Sequence, residues 1–91
     1  MGKFRIEVEE LAKKDFIKIY KSGDKPSIIK LEKMIKELEI HPTTGIGNPE
    51  LLKHHLSGYW SRRINKKDRL IYQIIEQPES LVVIIAALGH Y

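Results

Sequence analysis

The sequence predicts an α+β fold, a two-layer sandwich of order β-α-α-β-β-β in which a helical hairpin packs on one face of a mainly antiparallel sheet. Three observations predict it. Apolar residues alternate with a period of two near the N-terminus and form short β-rich runs in the second half. Between these lie two stretches with apolar residues at three- and four-residue spacing. The connections are short enough to keep consecutive elements adjacent.

Phe4, Ile6 and Val8 alternate with Lys3, Arg5 and Glu7, the pattern of a half-buried strand. From Glu9 to about Lys21 the period changes, and Leu11, Ala12, Phe16, Ile19 and Tyr20 form the apolar stripe expected of a first helix. Ser22-Gly23-Asp24 stops it, with Gly23 suited to a left-handed cap. Pro26 then fits the first turn of a second helix, where its missing N–H costs nothing. Ile28, Leu31, Ile35 and Leu38 form that helix's stripe, and Glu32 and Lys36 are a favourable i,i+4 pair. So short a connection makes the two helices a hairpin.

Pro42 pushes His41 out of the α region and ends the second helix. Residues 43–50 hold two glycines and Pro49 and read as a shaped loop. Three strands follow, at Tyr59–Asn65, Arg69–Ile75 and Leu81–Ala87, joined by hairpin turns at Asn65–Asp68 and Glu76–Ser80. The last strand is almost wholly apolar, so it is expected in the middle of the sheet with both faces covered. The sheet face away from the helices then needs a reason to stay open, and a functional groove is one.

The chain has 91 residues, enough for a single domain spanning 1–91, and its 42% hydrophobic and 31% charged residues are an ordinary globular balance. There is no cysteine, which excludes a disulfide framework and any thiolate metal site. The longest apolar stretch, Leu81–Leu88, is eight residues, far below the ~20 that cross a bilayer. Residues 1–6 lack the apolar run of a secretory signal, so no membrane partner is expected and the cytoplasm is the default location.

Net charge is +4 and the sequence pI about 9.4, but the distribution is more informative. Residues 51–75 carry Lys53, Arg62, Arg63, Lys66, Lys67 and Arg69 against Asp68 alone, a net of +5. Such a segment suits a polyanion such as RNA or DNA, and equally a solvated lysine-rich surface.

Glu50 lies just before that segment, where a carboxylate can act as a general base. The plainer alternative is an exposed surface glutamate. Strand alternation sets Tyr59, Ser61 and Arg63 on one face and Trp60, Arg62 and Ile64 on the other. Arg63 and Arg69, at the two ends of a hairpin, can converge on a phosphate, with Lys53 as a further cation. Alternation places Arg62 on the core side, a position the pattern does not explain. His90 follows the apolar strand closely and offers a proton donor or acceptor near neutral pH. His54-His55, with His41, is a weak metal hypothesis, because neighbouring residues on an extended chain point to opposite faces and no carboxylate cluster accompanies them. No metal or other cofactor is expected.

One segment reads as a family signature. Gly45-Ile-Gly-Asn-Pro-Glu50-Leu-Leu-Lys-His-His-Leu-Ser-Gly58-Tyr-Trp-Ser-Arg-Arg-Ile-Asn65, followed by Asp68-Arg-Leu-Ile-Tyr72, strongly resembles the YoeB (Txe) toxins of the RelE superfamily. The terminal Gly89-His90-Tyr91 matches the His-Tyr ending of that family. The motif spans about a third of the chain, and the element order extends the likeness to the rest.

The resemblance implies a RelE-like fold and the toxin half of a type II toxin–antitoxin pair, an endoribonuclease that cleaves mRNA in the ribosomal A site. It implies a YefM-like antitoxin whose C-terminal segment wraps the toxin, and it leaves room for a homodimer. By position, Glu50 matches the family's general base, Arg69 the arginine that stabilises the transition state, and His90 the general acid. Lys53 and Arg63 match further basic groove residues, and Tyr91 the tyrosine that supports the site. The chain departs from the pattern at Asn48, Leu51, Leu88 and Asp68. Asp68 stands where a histidine is frequent and is expected to bring a negative charge beside Arg69. The alternatives are a non-enzymatic protein on the same scaffold, such as a ParE-like gyrase inhibitor, or a simple RNA-binding module.

Overall fold

The computed structural model describes residues 3–89. The elements run β1 (Arg5–Val8), α1 (Glu10–Ser22), α2 (Lys25–Leu38), β2 (Glu50–Leu51), a single 3₁₀ turn (His54–Leu56), β3 (Tyr59–Arg63), β4 (Arg69–Ile75) and β5 (Leu81–Ala86). The five strands form one sheet in the order β1-β5-β4-β3-β2. β1 pairs with β5 in parallel, and the other three pairings are antiparallel. The α+β, mainly antiparallel architecture expected from the sequence is therefore the one observed.

Local signals act where they were read. Gly23 takes the left-handed conformation (φ 76°) that closes α1. Asp24 caps α2 by accepting the Ser27 N–H, with Pro26 in the first turn. The core forms between Ala12 and Ile19 of α1, Leu31, Met34 and Leu38 of α2, and Leu70, Tyr72, Val82 and Ile84 of the sheet, all buried. Each fully buried leucine or isoleucine contributes about 1.5–3 kcal/mol against leaving it in water.

Three expectations need correction. Leu11 and Tyr20 are exposed rather than part of the stripe of α1. The buried line is Ala12, Asp15 and Ile19, and a residue next to that line is turned about 100° away from it. β5 is interior but not central, since β4 holds the middle and β5 lies between β4 and β1. Glu50 belongs to a two-residue edge strand rather than to the preceding loop.

The register assigns the two faces. Ile6, Val8, Trp60, Arg62, Leu70, Tyr72, Val82 and Ile84 look toward the helices, and all but Arg62 belong to or pack against the core. Glu50, Ser61, Arg63, Arg69, Ile71 and Gln73 share the opposite face. That face carries no helix pair.

Candidate functional site

Glu50 reaches the open face because the preceding loop is strapped down from beneath. Arg62 is fully buried, and its guanidinium donates to five acceptors. Nη2 donates to the carbonyls of His41 (2.7 Å) and Thr44 (2.9 Å), and Nη1 to the carbonyl of Ile46 (3.3 Å). Nη1 also pairs with the Glu37 carboxylate, whose Oε1 accepts the Ile46 N–H at 2.8 Å. Nε donates to the Tyr72 hydroxyl, which donates in turn to the Pro42 carbonyl at 2.7 Å. A buried cation is tolerable only when paired and fully hydrogen-bonded, and here the loop's own carbonyls complete the set. This is the physical account of Arg62 that strand alternation lacked.

The loop leaves this hub through Gly47, whose carbonyl accepts the Arg63 N–H at 2.6 Å. Gly47 has φ 83°, and a Cβ there would run into the Met34 methyl, Arg62 and the Arg63 carbonyl. Only glycine satisfies both demands. Three residues later Glu50 docks against Ser61 on β3.

Glu50 and Arg69 meet above Ser61. Glu50 is the register partner of Ser61 on one side, and Arg69 opens β4 on the other. Arg69 Nη1 lies 3.6 Å from Glu50 Oε1 and donates to Ser61 Oγ at 3.4 Å. The Glu50 side chain is 59% exposed and that of Arg69 24%, so the pair is open to a ligand from solvent. Arg63 is exposed and faces Arg69 across the β3–β4 ladder, which brings the two guanidinium-bearing residues to one end of the groove. Lys53 is exposed immediately before the 3₁₀ turn, with no hydrogen bond or ion pair to the other site residues among the described residues. His90 and Tyr91 lie outside the described residues.

Beside the pair, the same face sinks into a cleft of about 380 Å³ lined by Leu11, Leu56, Tyr59, Ile71, Gln73 and Ile85. A cation–carboxylate pair at the end of a partly apolar cleft can hold a phosphate, exchange a proton with a ligand, and seat a planar group beside them. His54 and His55 sit in the 3₁₀ turn rather than on an extended chain, so the spacing argument applied to them does not hold locally.

Residues 9–91 match the model of the family described as YoeB-like toxin of bacterial type II toxin-antitoxin system. The chain belongs to this family. It is 39% identical to the toxin YoeB of Synechocystis over 87 residues, 96% of each chain. The YoeB/ParE toxin from Agrobacterium tumefaciens superposes with a TM-score of 0.83 at 26% identity, covering 97% of this chain and 100% of that one. YoeB from Staphylococcus aureus, solved as a dimer, superposes with a TM-score of 0.80 at 32% identity over 99% of this chain and 100% of that one. The same toxin in a heterotetrameric YoeB-YefM complex gives 0.76 at 32% identity, over 97% and 98%.

Two departures from the YoeB pattern take on a different meaning in the fold. Asp68 forms no ion pair with Arg69 among the described residues: it is 8% exposed, and its oxygens accept from Asn65 Nδ2 (3.1 Å) and the Gly89 N–H (3.2 Å). Leu88 is half-buried against the core, so its side chain serves packing. Sequence reasoning missed Glu37 as the partner of Arg62. The available signal was an arginine at a core-parity strand position, which demands a carboxylate somewhere in the fold.

Proposed function

We propose that this YoeB-family toxin is a ribosome-dependent mRNA endonuclease that inhibits translation, held in check by a YefM-like antitoxin. What supports this is the convergence of Glu50 and Arg69 over Ser61 on the open sheet face, in a chain whose family is defined by toxins of type II pairs.

Glu50 removes the proton of a ribose 2′-OH, and the freed oxygen attacks the adjacent phosphorus. Arg69, aided by Arg63 and Lys53, offsets the charge that grows on the phosphoryl oxygens. His90 delivers a proton to the departing 5′ oxygen, with Tyr91 supporting the site. The products are a 2′,3′-cyclic phosphate, which can open to a 3′-phosphate, and a 5′-hydroxyl. All the proton transfers are assigned to side chains, so the scheme calls for no metal. The ribosome orients the message, and the site of action is the A site in the cytoplasm. The complex formed by the S. aureus toxin supports a YefM-like partner here, and its dimer supports a homodimer.

Primer extension on mRNA from cells expressing the chain tests this. Breaks at A-site codons, lost in Glu50→Ala, Arg69→Ala and His90→Ala variants that still fold and bind ribosomes, are the expected result. A fully active variant removes that residue from the mechanism. The likeness to a structure described as a YoeB/ParE toxin favours one second reading, inhibition of DNA gyrase. Intact messages together with DNA damage would select it.

A further inference from the structure

Beside the Glu50–Arg69 pair the open face holds a second set of groups. Tyr59 of β3 and Gln73 of β4 are register partners, and both are half-buried. They stand two residues along their strands from Ser61 and Ile71, which is about 7 Å. One ribose spans that distance between a phosphate and its base. With Leu56, Ile71 and Ile85, the two side chains line the cleft of about 380 Å³, and Glu9, the residue between β1 and α1, also borders it. No lysine or arginine lines the cleft, so it is not built to take a phosphate. An aromatic ring among apolar walls suits the face of a nucleobase instead.

The polar groups of the lining narrow the choice. The Glu9 carboxylate is exposed, and neither it nor the Gln73 amide is engaged in a side-chain hydrogen bond or ion pair among the described residues. A carboxylate supplies acceptors only, while the amide nitrogen supplies donors. Guanine is the base whose Watson–Crick edge sets two adjacent donors, N1–H and N2–H, beside one acceptor, O6. Adenine, cytosine and uracil each offer a carboxylate one donor group on that edge rather than two.

We propose that this cleft is the base subsite of the cleavage site: it takes a guanine next to the scissile phosphate, stacked on Tyr59, with Glu9 accepting from N1–H and N2–H and Gln73 donating to O6. This rests on the chain being an mRNA endonuclease. The subsite selects where cutting occurs, and Glu50 and Arg69 act on the phosphate beside it.

The test compares guanosine with inosine, which lacks only the N2 amino group, at each nucleotide flanking the scissile bond of a message on programmed ribosomes. Single-turnover cleavage by the full chain is expected to be about tenfold slower or more with inosine at one of the two positions. In Glu9→Ala the two messages should be cut at equal rates, both more slowly than guanosine by the native chain. The Glu9 side chain makes no cap bond to α1, so this variant should fold. Gln73→Leu should slow the guanosine message by about tenfold or more yet keep the guanosine-to-inosine ratio, since it meets a different atom. A merely structural loss in Glu9→Ala would slow both messages alike and leave their ratio at its native value.

Equal cutting of guanosine and inosine messages by the native chain at both positions overturns the subsite while leaving the nuclease. So does an undiminished ratio in Glu9→Ala, which would assign the discrimination to the ribosome and the cleft to another occupant, such as a segment of a protein partner. A native chain that cuts neither message on ribosomes removes the nuclease reading, and the subsite falls with it.

Discussion

Glu50 and Arg69 reach each other across a strand to which neither belongs, 3.6 Å apart above the side chain of Ser61. β2 and β4 flank β3, and Ser61 is the fully buried β3 residue over which the pair closes. A small side chain at this position leaves room for the meeting. An exposed ion pair of this kind is worth about 0–1 kcal/mol to stability, so its geometry matters for what it can bind rather than for what it holds together.

Replacing Ser61 therefore separates packing from hydrogen bonding. Ser61→Ala removes one long contact to Arg69, and both urea unfolding (a loss below about 1 kcal/mol) and cleavage should change little. Ser61→Leu should wedge the pair apart and lower cleavage by about tenfold or more, at a packing cost of roughly 1–3 kcal/mol. Unchanged cleavage by a folded Ser61→Leu variant would mean that the pair need not meet.

Glu50→Ala should leave the unfolding free energy within about 0.5 kcal/mol of wild type, because the carboxylate is mostly exposed and lies at a sheet edge. A drop of several kcal/mol in urea unfolding would show instead that Glu50 is structural.

Arg62→Ala should be the costly change. It strands Glu37 and the carbonyls of His41, Thr44 and Ile46, and the loss should be about 3–5 kcal/mol by urea unfolding. Arg62→Lys keeps the charge but not the planar fork of donors, and should fall between alanine and wild type.

Burial pushes the Tyr72 phenol above its ordinary value, against an opposing pull from Arg62. A group raised on folding adds stability below its unfolded pKa, near 10, and loses it as pH rises through the higher folded value. Tyr72→Phe leaves the Pro42 carbonyl and Arg62 Nε without their hydroxyl partner and should cost roughly 1–3 kcal/mol at neutral pH. That cost should shrink above pH 10 in urea unfolding, and a constant difference would contradict it.

Much of this was legible before any coordinates. Gly23, Pro26 and the alternation from Tyr59 to Ile64 are local signals, and each acts within one turn or one strand. The bounds Arg69–Ile75 follow from β-rich composition flanked by turn residues. β2 was not legible, since two residues carry no periodicity and its partner lies across the loop. Nor was the hub, because Glu37 is 25 positions from Arg62 and three of its other four acceptors are backbone carbonyls, which leave no mark on sequence. Of the site, alternation set Arg63 on the face of Tyr59 and Ser61, and the hairpin brought Arg69 opposite it. The contact of Glu50 with Arg69 required the fold, and so did the bond of Asp68 to the Gly89 N–H.

The most direct test of the chemistry assigned to Glu50 and Arg69 is made on the substrate. A ribosome-bound mRNA carrying one 2′-deoxynucleotide on the 5′ side of the scissile bond should resist cleavage at that bond, while the all-ribose message yields a 2′,3′-cyclic phosphate and a 5′-hydroxyl. Undiminished cutting of the deoxy-substituted message would contradict the mechanism.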